Sequence, residues 1–220
     1  MPAKRAATRP IPKRSPLSRE RITKAALDIA DREGVDQLSM RRLAESLGAG
    51  TMTLYGHFAN KGELLDAVLD LAASEKKLPG FEGTWREQIH QLVGHARDLH
   101  RRHPGVVDIW SRQPALGRRG LRWPEAGMRI LEGAGFATEE AALAFRLIAN
   151  YTWGFALFSA PRSGAGREST QSRLAALPED RFPHLRNAAE SFAAAMGSEE
   201  SFVYGLERIL DGFQAKLESP

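Results

Sequence analysis

Cysteine is absent from the 220-residue chain. That excludes disulfides and thiolate-held metals, and it suits a reducing cytoplasm, the expected location. A secretory signal is missing too: the start is basic but has no apolar core segment. The most apolar stretch, residues 141–160, carries Arg146 and Asn150 mid-length. It is expected to be a buried helix and not a membrane span, so no membrane partner is expected. No GxSxG, P-loop, HExxH or GxGxxG motif occurs, and no enzyme activity, catalytic residue or cofactor is expected. His90, His95 and His100 each turn about 140° from the last on a 3.6-residue helix, which keeps them off a common face. His100 and His103 share a face but lack a nearby acid, so no metal site is expected. There is no strand pattern and no internal repeat, and acids are missing ahead of Glu20.

What is present is positive charge and helical periodicity. The formal charge is +4 and the pI about 9.6, which favours a polyanionic partner. Lys4, Arg5, Arg9, Lys13, Arg14 and Arg19 crowd the start, and Pro2, Pro10, Pro12 and Pro16 interrupt it. Residues 1–16 therefore read as a disordered basic arm, suited either to lying along DNA or to solubilising the chain. Residues 17–33 form a first helix capped by Ser18, with Ile22, Ala25, Ala26 and Ile29 inward.

The densest information lies in residues 39–61, SMRRLAESLGAGTMTLYGHFANK. Ser39 can cap a short helix in which Met40, Leu43, Ala44 and Leu47 make an apolar stripe. Gly48 follows where a left-handed residue ends a helix. A second short helix, expected over residues 51–57, buries Leu54 and Phe58 and leaves Thr51, Met52, Thr53, Tyr55 and His57 outside. Helix, tight turn, helix is the layout of a DNA reader. Short polar side chains such as Thr51 and Thr53 can reach base edges. Tyr55, His57 and Lys61 suit phosphates, which position the reader. Periodicity alone also permits two helices that simply pack.

The strings LSRERITKAALDIADREG and LGAGTMTLYGHFANKGELL resemble the N-terminal domain of the tetracycline-repressor (TetR) family of bacterial transcriptional regulators. The Leu-Tyr-x-His-Phe-x-Asn-Lys string is the most specific part. The resemblance implies that Tyr55 and Lys61 touch phosphate, that Thr51, Met52 and Thr53 read bases, and that Arg41 reaches a base or the backbone. Ser39, Met40 and His57 complete the expected DNA-facing set. Gly56 departs from the bulky aromatic residue frequent at that place, which puts one contact in doubt. FPHLRNAAESF and SFVYGLERILDGFQAKL further resemble the C-terminal region of the tetracycline-repressor subgroup, which dimerises there.

The rest of the chain also reads as helical. Asn60 caps a fourth helix to about residue 71 or 74, and Thr84 caps a run to residue 102. Residues 106–112 and 115–133 follow, the latter interrupted or kinked by Gly120 and Pro124. A long helix covers residues 138–159, and helices over 183–196 and 199–217 close the chain. Residues 161–180 read as a mobile loop. The long helix is apolar on nearly every side, and Phe202, Leu206, Ile209, Phe213 and Leu217 stripe the last one. Two such faces predict a four-helix homodimer interface. Trp85, His95, Trp110, Trp123, Phe136, Asn150 and Trp153 are candidates to line a pocket, with His95, Trp110, Asn150 and Trp153 retained as the ligand set.

The expected fold is all-α: a helix-turn-helix domain over 17–63, then a helical ligand-sensing and dimerisation domain over 64–217. The expected function is a homodimeric repressor that leaves a near-palindromic double-stranded DNA operator when a small-molecule inducer binds. The alternative is a helical small-molecule-binding protein or enzyme without specific DNA reading. A non-specific DNA coater is disfavoured by the large apolar C-terminal half.

Overall fold

A computed structural model of the chain describes residues 17–112, 120–159 and 166–218, and every regular element among them is an α-helix. The basic arm, residues 115–119 of the expected helix and residues 161–165 of the expected loop lie outside the described residues.

The first four helices are α1 (Arg19–Glu33), α2 (Met40–Leu47), α3 (Thr51–Tyr55) and α4 (Lys61–Ser74). Three start where the sequence supplies a cap. The side chains of Ser18, Ser39 and Asn60 accept from Arg21 N (3.2 Å), Arg42 N (3.1 Å) and Glu63 N (2.9 Å). Each satisfies one of the backbone donors left open at a helix start. Gly48 ends α2 at φ 61°, the left-handed conformation that glycine adopts without strain. Ile22, Leu43, Leu54, Phe58, Leu64 and Val68 close the core beneath α2 and α3. Arg19 ties this unit together: its guanidinium lies 4.1 Å over the Phe58 ring, donates to the His57 carbonyl, and pairs with Glu63 at 2.7 Å. The expected division at residue 63/64 falls inside α4, whose Leu64, Leu65, Val68, Leu69 and Ala72 pack into this same core.

The C-terminal part contains α5 (Trp85–Arg102), α6 (Pro104–Arg112), α7 (Arg122–Gly133), α8 (Thr138–Ser159), α9 (Arg167–Ala175), α10 (Pro183–Asn187), α11 (Ala189–Ala195) and α12 (Glu199–Leu217). Thr84 and Glu87 form a reciprocal capping box at the start of α5. Pro104 opens α6 directly, where its missing N–H costs no helical bond. Pro124 does not kink α7, because it sits in the first turn, among residues with no intrahelical partner for their N–H. Ile89, Leu92, Leu131, Ile148, Phe202 and Leu206 form the second core.

Two expectations are corrected. Part of the anticipated mobile loop is helical, since α9 occupies 167–175 and packs on α11. Its half-buried Thr170, Gln171 and Leu174 lie three or four residues apart across one turn, a thin stripe masked in the sequence by Gly, Ser and Arg. The anticipated helix over 183–196 is broken at Ala188 into α10 and α11.

The long helix α8 buries Ala141, Ala144, Phe145, Ile148 and Thr152 on one side. On the other side Leu143, Leu147 and Phe158 are exposed, as are Val203 and Tyr204 of α12. By length and composition α8 would also span a bilayer, but its buried face is spent on the protein's own core.

Candidate functional site

The surface around α3 presents most of the expected DNA-facing residues together. Met52 is 81% exposed, and Thr53, Tyr55 and Lys61 are also exposed. Thr51 and His57 are half-buried. Ser39 is exposed, with its hydroxyl oxygen engaged in capping α2. Arg41 projects from α2 and pairs with Glu45 at 3.0 Å; a pair this open is worth little and yields readily to a phosphate. Met40 is the exception. Its side chain is buried in the first core at 7% exposure, because the first residue of α2 turns inward with Leu43 and Ala44. It is removed from the set of side chains able to touch DNA.

Behind the reader lies a cavity of about 400 Å³, between the C-terminal half of α4, α5, α6, α7 and α8. Its aromatic wall contains Trp110, Trp123, Trp153 and Phe145. Trp110 and Trp153 are stacked, with centroids 4.5 Å apart and planes at 11°; Trp123 stands edge-on to Trp153 at 6.5 Å. The Trp123 N–H is satisfied by the Leu92 carbonyl at 3.1 Å, so its apolar body is what it contributes. His95 lines the cavity with a buried Nδ1 that has no hydrogen-bond partner among the described residues. Burial, followed by the nearby Lys76 and Arg102 charges, holds the His95 imidazole below the ordinary histidine range.

Three of the four expected ligand residues, His95, Trp110 and Trp153, therefore share one cavity. Asn150 does not. It is exposed on α8, about 40° around the helix from Arg146 and outside the lining formed by Arg146, Ala149 and Trp153. Trp123 lines it, whereas Trp85 packs edge-on to Phe136 and donates to Gln214 at 3.2 Å. Sequence reasoning missed the cations Lys76, Lys77, Arg122 and Arg146, which also line the cavity. No local pattern marks them, because they come from three separate segments.

A second cavity of about 560 Å³ lies between α1 and the C-terminal core, lined in part by Asp31, Arg97, Asp108 and Glu199. His100 forms its inner wall, 4.0 Å from the Trp153 ring on the first cavity's side. Burial, then the Arg97 and Arg101 charges, pushes its pKa down to about 3, so its ring is neutral. The charges here are largely paired internally, as in the two-pronged Arg97–Glu199 contact at 2.5 and 2.6 Å.

A polar joint ties the reader to the C-terminal core. His103, between α5 and α6, binds Asp31 of α1 through Nδ1 and Glu75, at the end of α4, through Nε2, both at 2.8 Å. Asp31 also accepts from Gly105 N at 3.0 Å. Gly105 allows α6 to lie directly on α1: a Cβ there would stand 2.6 Å from the Ala30 carbonyl group. α6 is thereby held against α1, and His103 links both to the end of α4. Among the described residues, no group of three His, Asp or Glu side chains is arranged so that it could hold a metal ion.

Residues 22–68 match the family model described as "Bacterial regulatory proteins, tetR family". Residues 79–217 match the model described as "Tetracyclin repressor-like, C-terminal domain". The chain is 31% identical to the "HTH-type transcriptional repressor DrrR1" of Streptomyces coeruleorubidus, covering 92% of this chain and 80% of that protein. It is 34% identical to the "Tetracycline repressor protein class A from transposon 1721" of Escherichia coli, covering 87% of this chain and 88% of that protein. Among solved structures, the Streptomyces coelicolor TetR family protein ActR in complex with actinorhodin superposes with a TM-score of 0.81 at 33% identity, covering 93% of this chain and 100% of that one.

Proposed function

The chain belongs to the tetR family of bacterial regulatory proteins, and from that premise we propose that it is a homodimeric transcriptional repressor released from its operator by a small molecule. The observation that carries this reading is the position of α4. Its first residue, Lys61, stands exposed beside the DNA-facing helix, while Leu69, Ala73 and Ser74 at its other end line the cavity. A 14-residue helix spans about 20 Å at 1.5 Å per residue. A ligand that shifts its cavity end tilts the reader without touching DNA.

Two readers must enter successive major grooves about 34–36 Å apart, so the operator is a near-palindrome. The exposed apolar faces of α8 and α12 supply the surface that joins two copies. Release requires the ligand to prefer the state in which the readers are wrongly spaced; moving a 1:99 population to 99:1 takes about a 10⁴-fold preference. Relatives of the chain are regulators, and the reading assigns it no catalysis and a cytoplasmic place of action. The alternative, a helical small-molecule binder without specific DNA reading, gives no reason for an exposed Thr51–Tyr55 surface held by a Phe58-centred core.

The DNA-facing residues separate into two roles, and operator titration over a range of salt distinguishes them. Lys61→Ala is expected to weaken binding to all duplexes alike and to lessen the salt slope by about 0.9, one phosphate's share. Thr51→Ala is expected to relax preference at one position of each half-site, by about 1–3 kcal/mol of discrimination, with the salt slope unchanged. Equal loss on every sequence for Thr51→Ala would remove it from the base-reading set.

A further inference from the structure

Arg19 opens α1 and belongs by sequence to the basic start of the chain, but the structure spends it inside the reader. Its Nη1 donates to the His57 carbonyl, its Nη2 donates to Glu63 Oε1 at 2.7 Å, and its flat face lies 4.1 Å over the Phe58 ring. Glu63 continues the chain of bonds. Its other carboxylate oxygen accepts from Ala59 N at 2.7 Å, while its own N–H donates to the Asn60 side chain at 2.9 Å. The hydrogen bond from Ala59 N, then that from Arg19, holds the Glu63 carboxyl below the usual carboxylate range. Residues 57–60 are thus gripped from outside at His57, Ala59 and Asn60, and from inside by the buried Phe58. With Gly56 they are the whole link between Tyr55, at the end of α3, and Lys61, at the start of α4. An exposed ion pair by itself is worth little. This one differs in kind, because a planar fork serves a carbonyl, a carboxylate and a ring together, which a lysine ammonium cannot do.

We propose that Arg19 is a positioning residue for DNA binding: with Glu63 it latches the α3–α4 turn, and so sets the spacing of the Tyr55 and Lys61 phosphate contacts. This rests on the DNA-reading role of α3 and adds to it a residue that touches no DNA itself. Phosphate contacts fix the register of a reader on the duplex, so a turn free to flex loses the contact beyond it. The latch also accounts for an acid two residues from Lys61. A bare carboxylate there repels phosphate, and Arg19 meets its charge.

The test uses the full-length protein, the duplex it enriches from random sequences, and titration over a range of salt. Arg19→Lys keeps the charge and loses the fork. Glu63→Gln removes an acid from beside the DNA-facing surface and takes away the charged end of the latch. Both are expected to weaken binding about ten-fold, the scale of one lost charge-assisted hydrogen bond. The double variant should be no weaker than either single one, because the two side chains act as a unit. In either background Lys61→Ala should no longer lessen the salt slope. That readout separates positioning from folding: a partly unfolded variant binds in smaller amount with an unchanged slope, and circular dichroism measures the folded share. Native-like binding by Arg19→Lys, or tighter binding by Glu63→Gln, would overturn the proposal, since a direct Arg19–phosphate contact and plain charge repulsion give those results. Additive losses in the double variant, or an undiminished effect of Lys61→Ala on the slope, would overturn it too. A native protein that enriches no duplex refutes the repressor reading and the latch with it. One that enriches a duplex, with variants that follow charge alone, refutes only the latch.

Discussion

Phe58→Ala is expected to abolish specific DNA binding while leaving a helical, dimeric C-terminal half that still binds ligand. Phe58 is fully buried, and it joins α3 to α1 and α4. Its ring also carries the Arg19 guanidinium, which in turn holds the His57 carbonyl and Glu63. Truncating a buried phenylalanine costs about 3–5 kcal/mol, from lost transfer energy and the cavity left behind. That is a large share of the 5–15 kcal/mol typical of a whole domain. The loss is concentrated in a unit whose recognition helix is only five residues long. A helix that short has no stability of its own and depends on tertiary packing. Thermal unfolding should therefore resolve an early transition absent from the native protein, with operator affinity lost at temperatures below it. Native-like operator binding by Phe58→Ala would show that the reader does not depend on this core.

His103→Leu is expected to uncouple the sensor from the reader. The variant should bind operator and still bind ligand, yet release DNA poorly when ligand is added. The side chain is 13% exposed and contacts both α1 and the end of α4 from the C-terminal side of the joint. Leucine keeps the bulk but, among the described residues, leaves Asp31 with only Gly105 N and Glu75 with only Arg102. The stability loss should be roughly 2–3 kcal/mol, the scale of hydrogen bonds between charged groups. Its pH dependence follows from the direction of the shift. Burial disfavours the imidazolium, but the hydrogen bonds and charges of Asp31 and Glu75 outweigh it and hold the His103 pKa above the ordinary value of 6.5. A group whose folded pKa is raised contributes stability that is fully present below the unfolded value and is lost as pH rises through the folded one. The gap in melting temperature between native protein and variant should thus be widest near pH 6 and narrow toward pH 9. A smaller gap persists, because a neutral imidazole still donates one hydrogen bond. A gap that widened with pH would contradict a charged His103 at the joint.

The helix-turn-helix could be read from the chain because its determinants are local. Ser18, Ser39, Asn60 and Thr84 each cap the helix they precede, and Gly48 ends α2 in the left-handed conformation. Caps and positive-φ glycines act within four residues, so they leave a legible trace. Orientation was less legible. Met40 and Asn150 sit on helices that the sequence places correctly, yet Met40 faces the core and Asn150 falls outside the cavity lining. One residue of rotation, about 100°, decides such cases. The α9 helix was missed because its half-buried stripe is thin and polar. The His103 joint and the cations lining the first cavity were not legible at all, since their members meet only through tertiary packing. Asp31, Glu75 and His103 come from three segments, as do Lys77, Arg122 and Arg146.

Specific reading of DNA by a dimer is tested most directly by selecting bound sites from random duplexes with the full-length protein, at about physiological salt. Two readers about one helical turn apart predict enrichment of a single near-palindrome. Its half-site preference should change at one position when Thr51 is replaced. A folded, dimeric sample that enriches no sequence would contradict the assignment of α3 as a base-reading helix, and with it the repressor function.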